Sequence, residues 1–400
     1  MVTGFGLVTP LGCGSREIWD RLLAGECGTG PVRSFDAAPY GVDRGGEVPD
    51  FDPARYLRRL EPGSAGRASQ LAAAAARLAL EDAGLAADPV EPWRGGVARG
   101  TTSGEAREIE RFNDELMAEG EDAAGSGFLD RYPCHLIPRH VAAEIGFLGP
   151  NLMIPAACAA GNYAVAWAFD TLRSGRADVM LAGGADCFSR ITYAGFNRLG
   201  AVAPERCQPF DRGRKGMIPA EGAGVVVLET LERARRRGAH AYAEVAGYGL
   251  SCDAHHMTAA HPEGVGAARA MEEALEQSGL AASEVSYVSA HGTGTPTNDR
   301  LEAIAVRRTF GAAASSVPIS SIKSMIGHTM GAASAIEAAV CALAVSDGRI
   351  PPTIHFEEPD PECPLDCVPN EAREIPVSAA MNNSYAFGGY NASVVFRRVP

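Results

Sequence analysis

Met153-Ile154-Pro155-Ala156-Ala157-Cys158-Ala159-Ala160-Gly161 leads into an Ala-rich run ending at Arg173, then Ser174-Gly175-Arg176-Ala177-Asp178 and the apolar Val179-Met180-Leu181-Ala182-Gly183-Gly184. The order is strand, sharp turn, buried helix, turn and strand, with one cysteine where the helix begins. The unpaired N–H groups and positive dipole end of a helix favour thiolate over thiol, which predicts a nucleophilic Cys158 near neutral pH. A lone cysteine is more often a small apolar core residue. The rest of the chain has to decide.

Working outward, Ile319-Ser320-Ser321, Gly327-His328, Gly331-Ala332-Ala333-Ser334-Ala335-Ile336-Glu337 and Ser346-Asp347-Gly348-Arg349 repeat the same plan. Each copy has a short strand, a Gly/Ala-rich helix start, a helix of small residues and a polar-Gly-Arg exit. Small residues let helices approach closely, so the two runs are expected back to back at the centre of a five-layered structure. His328 then falls beside the matching end of the second helix. Such self-similarity points to a duplicated chain with halves 1–235 and 236–400. Strands expected at 2–8, 95–100, 222–229, 241–248, 285–290 and 317–320 alternate with helices at 68–83, 105–118, 138–147, 264–278, 299–310 and 331–346. Ser15 is placed to cap a further helix through Leu23, Gly84 to stop the Ala/Leu run before it, and the glycines around 120–127 to mark a loop. This alternation predicts an α/β fold with mainly parallel sheets covered on both faces.

Four hundred residues, 46% of them apolar, can bury a large core, as two domains or one duplicated domain. A net charge of −13 argues against nucleic-acid binding, so any anionic partner must meet a local basic patch. No run of about 18 apolar residues stands out, so no membrane span is expected. Met1 to Gly6 carries no signal-peptide pattern. Ten scattered cysteines do not form a disulfide framework, and Cys363 with Cys367 lacks the second pair a zinc site needs. The expectation is a reduced, cytoplasmic protein with no bound metal.

Two further stretches carry polar groups that a core does not otherwise want: Val288-Ser289-Ala290-His291-Gly292-Thr293-Gly294-Thr295-Pro296-Thr297-Asn298-Asp299 and Ser321-Ile322-Lys323-Ser324-Met325-Ile326-Gly327-His328. Each follows a strand, where α/β folds hold their active groups. Cys158, His291, Lys323 and His328 together supply a nucleophile, two imidazoles and a cation, the set that acyl transfer through a thioester requires. With Ala157-Cys158-Ala159, Pro209-Phe210-Asp211, Glu221-Gly222-Ala223, His291 to Pro296, Lys323 to His328 and Phe387-Gly388-Gly389, the chain resembles the elongating β-ketoacyl-acyl carrier protein synthases from Val2 to Val395. These are thiolase-fold enzymes, and they include the ketosynthase subunits of type II polyketide synthases.

The resemblance implies a thiolase-like duplicated five-layer αβαβα sandwich and a decarboxylative Claisen condensation that elongates a fatty-acyl or polyketide chain. Cys158 would take the acyl chain, while neutral His291 and His328 face the malonyl thioester carbonyl. Lys323 would be a fixed charge that tunes His328, and Glu337 its anchor. The N–H groups of Cys158 and Phe387 would hold the oxyanion, with Phe387 and Gly388 as gate. Thr293 and Thr295 would bind the phosphopantetheine arm of acyl carrier protein, so no cofactor is bound by the chain itself. Arg58, Arg59, Arg67 and Arg206 resemble a docking surface for that acidic carrier. The chain would form a homodimer, or a heterodimer with a chain-length-factor-like subunit.

Against the family pattern, the first strand looks shortened, Ala386 and Tyr390 replace Gly and Thr around the gate, and Ala220 replaces a Gly. His328 argues against a chain-initiating enzyme, whose cysteine pairs with His and Asn. Cys158 argues against a non-catalytic chain-length factor, and Cys341, Cys363 and Cys367 lie in the wrong contexts for a degradative thiolase. The Ala/Arg/Gly bias, Tyr390 and the run Cys158 to Tyr163 favour a type II polyketide pathway. Primary fatty acid synthesis, or a carrier-binding subunit with little activity, is the alternative.

Overall fold

Residues 1–85, 89–120 and 126–399 are described by a computed structural model, and in them the strands collect into two sheets. The N-terminal sheet contains β1 (Val2–Thr9), β2 (Gly12–Gly14), β3 (Gly95–Gly100), β4 (Asn151–Ile154), β5 (Val179–Asp186) and β6 (Gly222–Glu229), in the order β2-β1-β6-β5-β3-β4. The C-terminal sheet contains β7 (Glu244–Cys252), β8 (Tyr287–Ser289), β9 (Ile319–Ser320), β10 (Ala379–Tyr385) and β11 (Tyr390–Arg397), in the order β9-β8-β10-β11-β7. The first strand, shortened by sequence pattern, is a full eight-residue member of its sheet.

The sheets are mixed rather than mainly parallel. β3 runs parallel to β4 and β5, but β1 pairs antiparallel with β2 and β6, and β5 with β6. In the second sheet β8 is parallel to β9 and β10, whereas β10, β11 and β7 are antiparallel. The hairpin β10–β11 escaped the hydropathy reading because its core-facing positions include Asn382, Asn383, Ser384, Asn391 and Ser393, all buried. Their side chains bond inside the protein: Asn382 Nδ2 donates to Asn162 Oδ1 and Ser393 Oγ to Asn383 Oδ1. Buried polar groups are tolerated when so partnered.

Helices Ala160–Arg173 and Ala333–Asp347 lie between the two sheets. Helices Arg67–Asp82 and Leu136–Ile145 cover the outer face of the first sheet, and Val265–Ser278 and Pro296–Phe310 that of the second. The five-layer sandwich expected from the duplication is the observed architecture. A helix apolar on every side belongs in such a centre, and every residue from Ala333 to Val345 is buried. The stretch Met330–Asp347 has a mean hydropathy of 1.4, long and apolar enough to cross a bilayer, which the search for apolar runs missed. Here 89% of it is buried inside the fold, so the sheets take the place of lipid.

Local signals were honoured unevenly. Helix Arg67–Asp82 stops where expected, with Gly84 at φ +66, the left-handed conformation that ends helices. Ser15 precedes helix Arg16–Leu23 but does not cap it; its hydroxyl donates instead to the Phe5 carbonyl at 2.7 Å. Most of the glycine-bearing loop at 120–127 lies outside the described residues.

The two central helices begin alike. Ala157–Ala159 and Met330–Ala332 are 3-10 turns that open with a non-glycine residue in the left-handed region, Ala157 at φ +45 and Met330 at φ +54. Strain of this kind costs about 1–3 kcal/mol and is held by surrounding structure. Behind the turns the helices almost touch: a Cβ at Gly161 would lie 2.5 Å from the Ala335 nitrogen. Gly161→Val should therefore push them apart and lower stability by about 1–3 kcal/mol, read as a drop in the urea midpoint.

Candidate active site

The three predicted turns meet on one cavity of about 370 Å³, whose lining includes Cys158, His291, Thr293, Thr295, His328 and Phe387. His328 Nε2 lies 3.1 Å from Cys158 Sγ. The His291 and His328 ring centroids are 5.5 Å apart, edge to face. Met330 donates its N–H to His328 Nδ1 at 3.2 Å, so the neutral ring keeps its hydrogen on Nε2 and directs it at the sulfur. The backbone of His328 is clamped as well: its N–H donates to the Ile218 carbonyl, and its carbonyl accepts from Ala220 N–H. Ala220 therefore serves that clamp despite its extra methyl.

Lys323 and Glu337 form an ion pair beneath the site, each 1% exposed. Burial first, then the Lys323 charge, pushes both imidazoles well below the ordinary value, so both are neutral. Two supports went unread in the sequence. Glu302, on helix Pro296–Phe310, accepts the N–H groups of His291 and Gly292 at 2.8 and 2.7 Å. The hydroxyls of Ser334 and Ser384 donate to the Cys158 carbonyl at 3.1 and 3.0 Å. An acid in the first turns of a helix that follows the His-Gly-Thr-Gly-Thr loop was the available signal for Glu302.

One expectation is overturned. The helix-start argument predicted a thiolate, yet burial pushes the Cys158 thiol up to about 12, against a downward pull from Lys323. Cys158 sits in the 3-10 turn ahead of the helix, in a site where desolvation exceeds the dipole's contribution. Cys158 rests as a thiol.

Around the cavity mouth, the Thr293 and Thr295 hydroxyls are hydrogen-bonded at 2.9 Å. Phe387 is 40% exposed and packs against Phe196, with ring centroids 5.8 Å apart. Gly388 takes φ +84 and donates its N–H to the Met257 carbonyl. Ala386 is extended at φ −145, which alanine adopts without strain, so the loss of glycine there is harmless. Tyr390 places its ring over Gly388, where a Cβ would meet Cε2 at 2.9 Å, and edge-on to Tyr163. His256 Nδ1 accepts the N–H groups of Thr258 and Ala259, a structural use within its loop.

The four candidate docking arginines differ. Arg58 and Arg59 are exposed, and their backbone N–H groups are held by Glu144. Arg206 pairs with Glu357 at 2.5 Å. Arg67 is committed to the buried Glu221 at 2.7 Å and stacks over Phe51. Its guanidinium is not a free surface charge, because Glu221 of the Glu-Gly-Ala motif is buried and needs it. A separate open cavity of about 600 Å³, lined by Arg67, Arg107, Arg111 and Arg131 with several carboxylates, contains none of the catalytic candidates.

The family models described as "Beta-ketoacyl synthase, N-terminal domain" and "Beta-ketoacyl synthase, C-terminal domain" match residues 1–234 and 242–357. The 3-oxoacyl-[acyl-carrier-protein] synthase 2 of Staphylococcus aureus (strain COL) is 38% identical, over 100% of this chain and 98% of its own. The enzyme of that name from Synechocystis sp. is also 38% identical, over 100% and 97%. Among solved structures, the ishigamide ketosynthase/chain length factor superposes with a TM-score of 0.96 at 42% identity, covering 100% of this chain and 98% of that one. The AntDE:AntF complex, a type II PKS acyl-carrier protein with its ketosynthase bound to the hexaketide, gives 0.92 at 33% identity, with 100% and 98% covered. The chain belongs to the beta-ketoacyl synthase family. Within that family it is an acyltransferase of the elongating ketosynthase type.

Two outcomes follow from the site. Lys323→Met strands a buried carboxylate and should cost about 3–5 kcal/mol in chemical denaturation, most of it recovered in Lys323→Met/Glu337→Leu. The unfolded chain binds protons at imidazoles that the folded chain keeps neutral, so folding stability should fall as pH drops below the ordinary imidazole value of 6.5. Denaturation midpoints that stay level from pH 7 to 5 would contradict neutral, buried His291 and His328.

Proposed function

We propose that this enzyme takes an acyl chain onto Cys158 and extends it by two carbons from malonyl-acyl carrier protein, in the cytoplasm, in a type II polyketide pathway. In the first half-reaction the Cys158 sulfur attacks the incoming thioester carbonyl. The carbon–sulfur bond to the carrier's pantetheine breaks, and the Cys158 proton ends on that departing sulfur. Both sulfurs are thiols, so the transfer needs no net proton, and a thiol resting protonated is no obstacle. The Nε2–H of His328 steadies the sulfur as it becomes anionic.

In the second half-reaction malonyl-acyl carrier protein loses carbon dioxide, and the electron pair of the broken bond becomes an enolate. Neutral His291 and His328 each donate one N–H to the enolate oxygen. The enolate carbon attacks the Cys158 thioester carbonyl, the carbon–sulfur bond breaks, and the departing sulfur takes one proton from solvent, the proton that the condensation consumes. Thr293 and Thr295 receive the pantetheine arm, Phe387 and Gly388 gate the cavity, and the N–H groups of Cys158 and Phe387 hold the thioester oxyanion. Arg58 and Arg59 offer the docking charges for the acidic carrier, in a homodimer or beside a chain-length-factor-like partner. The chain divides into halves at 235 and 236, the first bringing the cysteine and the second the imidazoles and lysine.

The observation that carries this reading is Cys158 Sγ lying 3.1 Å from His328 Nε2 inside a cavity that His291 also lines. The polyketide assignment is supported by the 42% identity to the ishigamide ketosynthase/chain length factor and by the bulky Tyr390 at the gate. Primary fatty acid synthesis is the second reading, supported by the full-length 3-oxoacyl-[acyl-carrier-protein] synthase 2 relatives.

Cys158→Ala should lose acyl transfer from the carrier, whereas unchanged transfer would make the chain a carrier-binding subunit only. His291→Ala should slow malonyl decarboxylation by about a hundredfold or more while Cys158 still takes acyl groups. Mass spectrometry of the acyl groups held on Cys158, with and without a co-expressed partner, separates the two pathways.

A further inference from the structure

We infer that Asp186 is a positioning residue for His328, acting through the turn that opens the second central helix. The inference rests on the condensation proposed above. Asp186 is the last residue of β5 and is completely buried. Its Oδ1 accepts from the Thr101 hydroxyl at 2.8 Å, the Ser103 N–H at 2.8 Å and the Ser103 hydroxyl at 3.0 Å. Its Oδ2 accepts from Thr102 N–H at 2.8 Å and from Gly331 N–H at 2.7 Å. Every partner is a donor, so the carboxylate is held as an anion, and it joins the loop after β3 to the turn at Met330–Ala332.

That turn is the one that orients the catalytic ring. Gly331 follows Met330, whose N–H fixes the His328 tautomer and whose φ of +54 is strained. A Cβ at Gly331 would lie 2.7 Å from Asp186 Oδ2 and from the Thr101 backbone. The turn is thus pressed onto the loop and tethered by one short bond to Asp186. In the first helix the matching position is Cys158 itself, whose turn is held by Ser334 and Ser384 without Asp186. Asp186 therefore bonds to the imidazole side of the site and reaches the sulfur side only through its charge, which pushes the Cys158 thiol up. Amides and hydroxyls hold the carboxylate oxygens at fixed lengths, so loss of the charge frees Gly331 N–H and lets Met330 relax. A shift of about 1 Å in a reacting group costs roughly a hundredfold in rate.

The test compares the two half-reactions in full-length Asp186→Asn: transfer of a radiolabelled acyl group from carrier protein to Cys158, and carbon dioxide release from malonyl-carrier protein. Decarboxylation is expected to fall about tenfold to a hundredfold and acylation by a clearly smaller factor, since His328 also faces the Cys158 sulfur. Equal loss in both, or loss in neither, overturns the inference. Thr101→Val keeps the carboxylate but removes one donor to it and the acceptor of the Gly104 N–H; it should show a smaller loss, again greater in decarboxylation than in acylation. If Asp186→Asn does not fold, that variant decides alone by the same criterion. Wild-type turnover in both half-reactions tests the condensation separately, so a failure there is distinct from a failure of the Asp186 role.

Discussion

The closeness of two helices governs this protein. Ala160–Arg173 and Ala333–Asp347 meet at their starts, where Gly161 leaves room only for Ala335 and the small Ser334 side chain. Only small groups separate the turns that carry Cys158 and His328, so Cys158 Sγ and His328 Nε2 arrive 3.1 Å apart. The sheets on either side serve that contact. They are held on small residues, and they shut out water, which is what keeps the imidazoles neutral and the thiol protonated.

Low dielectric also explains the second layer of residues. The buried cation beneath the site, Lys323, is neutralised by Glu337 and acts on both rings. Buried carboxylates elsewhere hold backbone as well as charge: Glu302 the His291 loop, Asp299 the N–H groups of Phe210 and Gly294, Glu221 those of Val48 and Phe188 beside the Arg67 guanidinium. Each accepts from such donors, the condition under which buried acids are tolerated, and burial still pushes the Glu302 carboxyl up to about 8. The family motifs scattered along the chain are in this sense one structure, a set of acids clamping the loops that present the reacting groups.

Much of this was legible in the residues. The duplicated strand-turn-helix plan led to the five layers, and Cys158, His291, Lys323 and His328 were named from the chemistry of their turns. What could not be read has physical reasons. β10 and β11 carry buried asparagines and serines whose mates, such as Asn162, lie hundreds of residues away. Arg67 looked like a surface charge because its partner Glu221 is equally remote in sequence. The state of the thiol depended on desolvation, which only the assembled fold supplies, whereas the helix dipole was visible locally. Apolar length misled in the opposite direction, since Ser334 and Glu337 break up a helix whose residues from Ala333 to Val345 are all buried.

That enclosed helix has a consequence for synthesis. The N-terminal sheet and its helix Ala160–Arg173 are complete on the ribosome long before residues 333–347 emerge. Until then their inner face is bare, and when the apolar segment does appear it is sticky on every side. Exposed surface of this kind draws nascent chains into aggregation or into the hands of chaperones. The same intimacy that brings sulfur to imidazole therefore obliges the first half of the molecule to wait, half-finished, for the second.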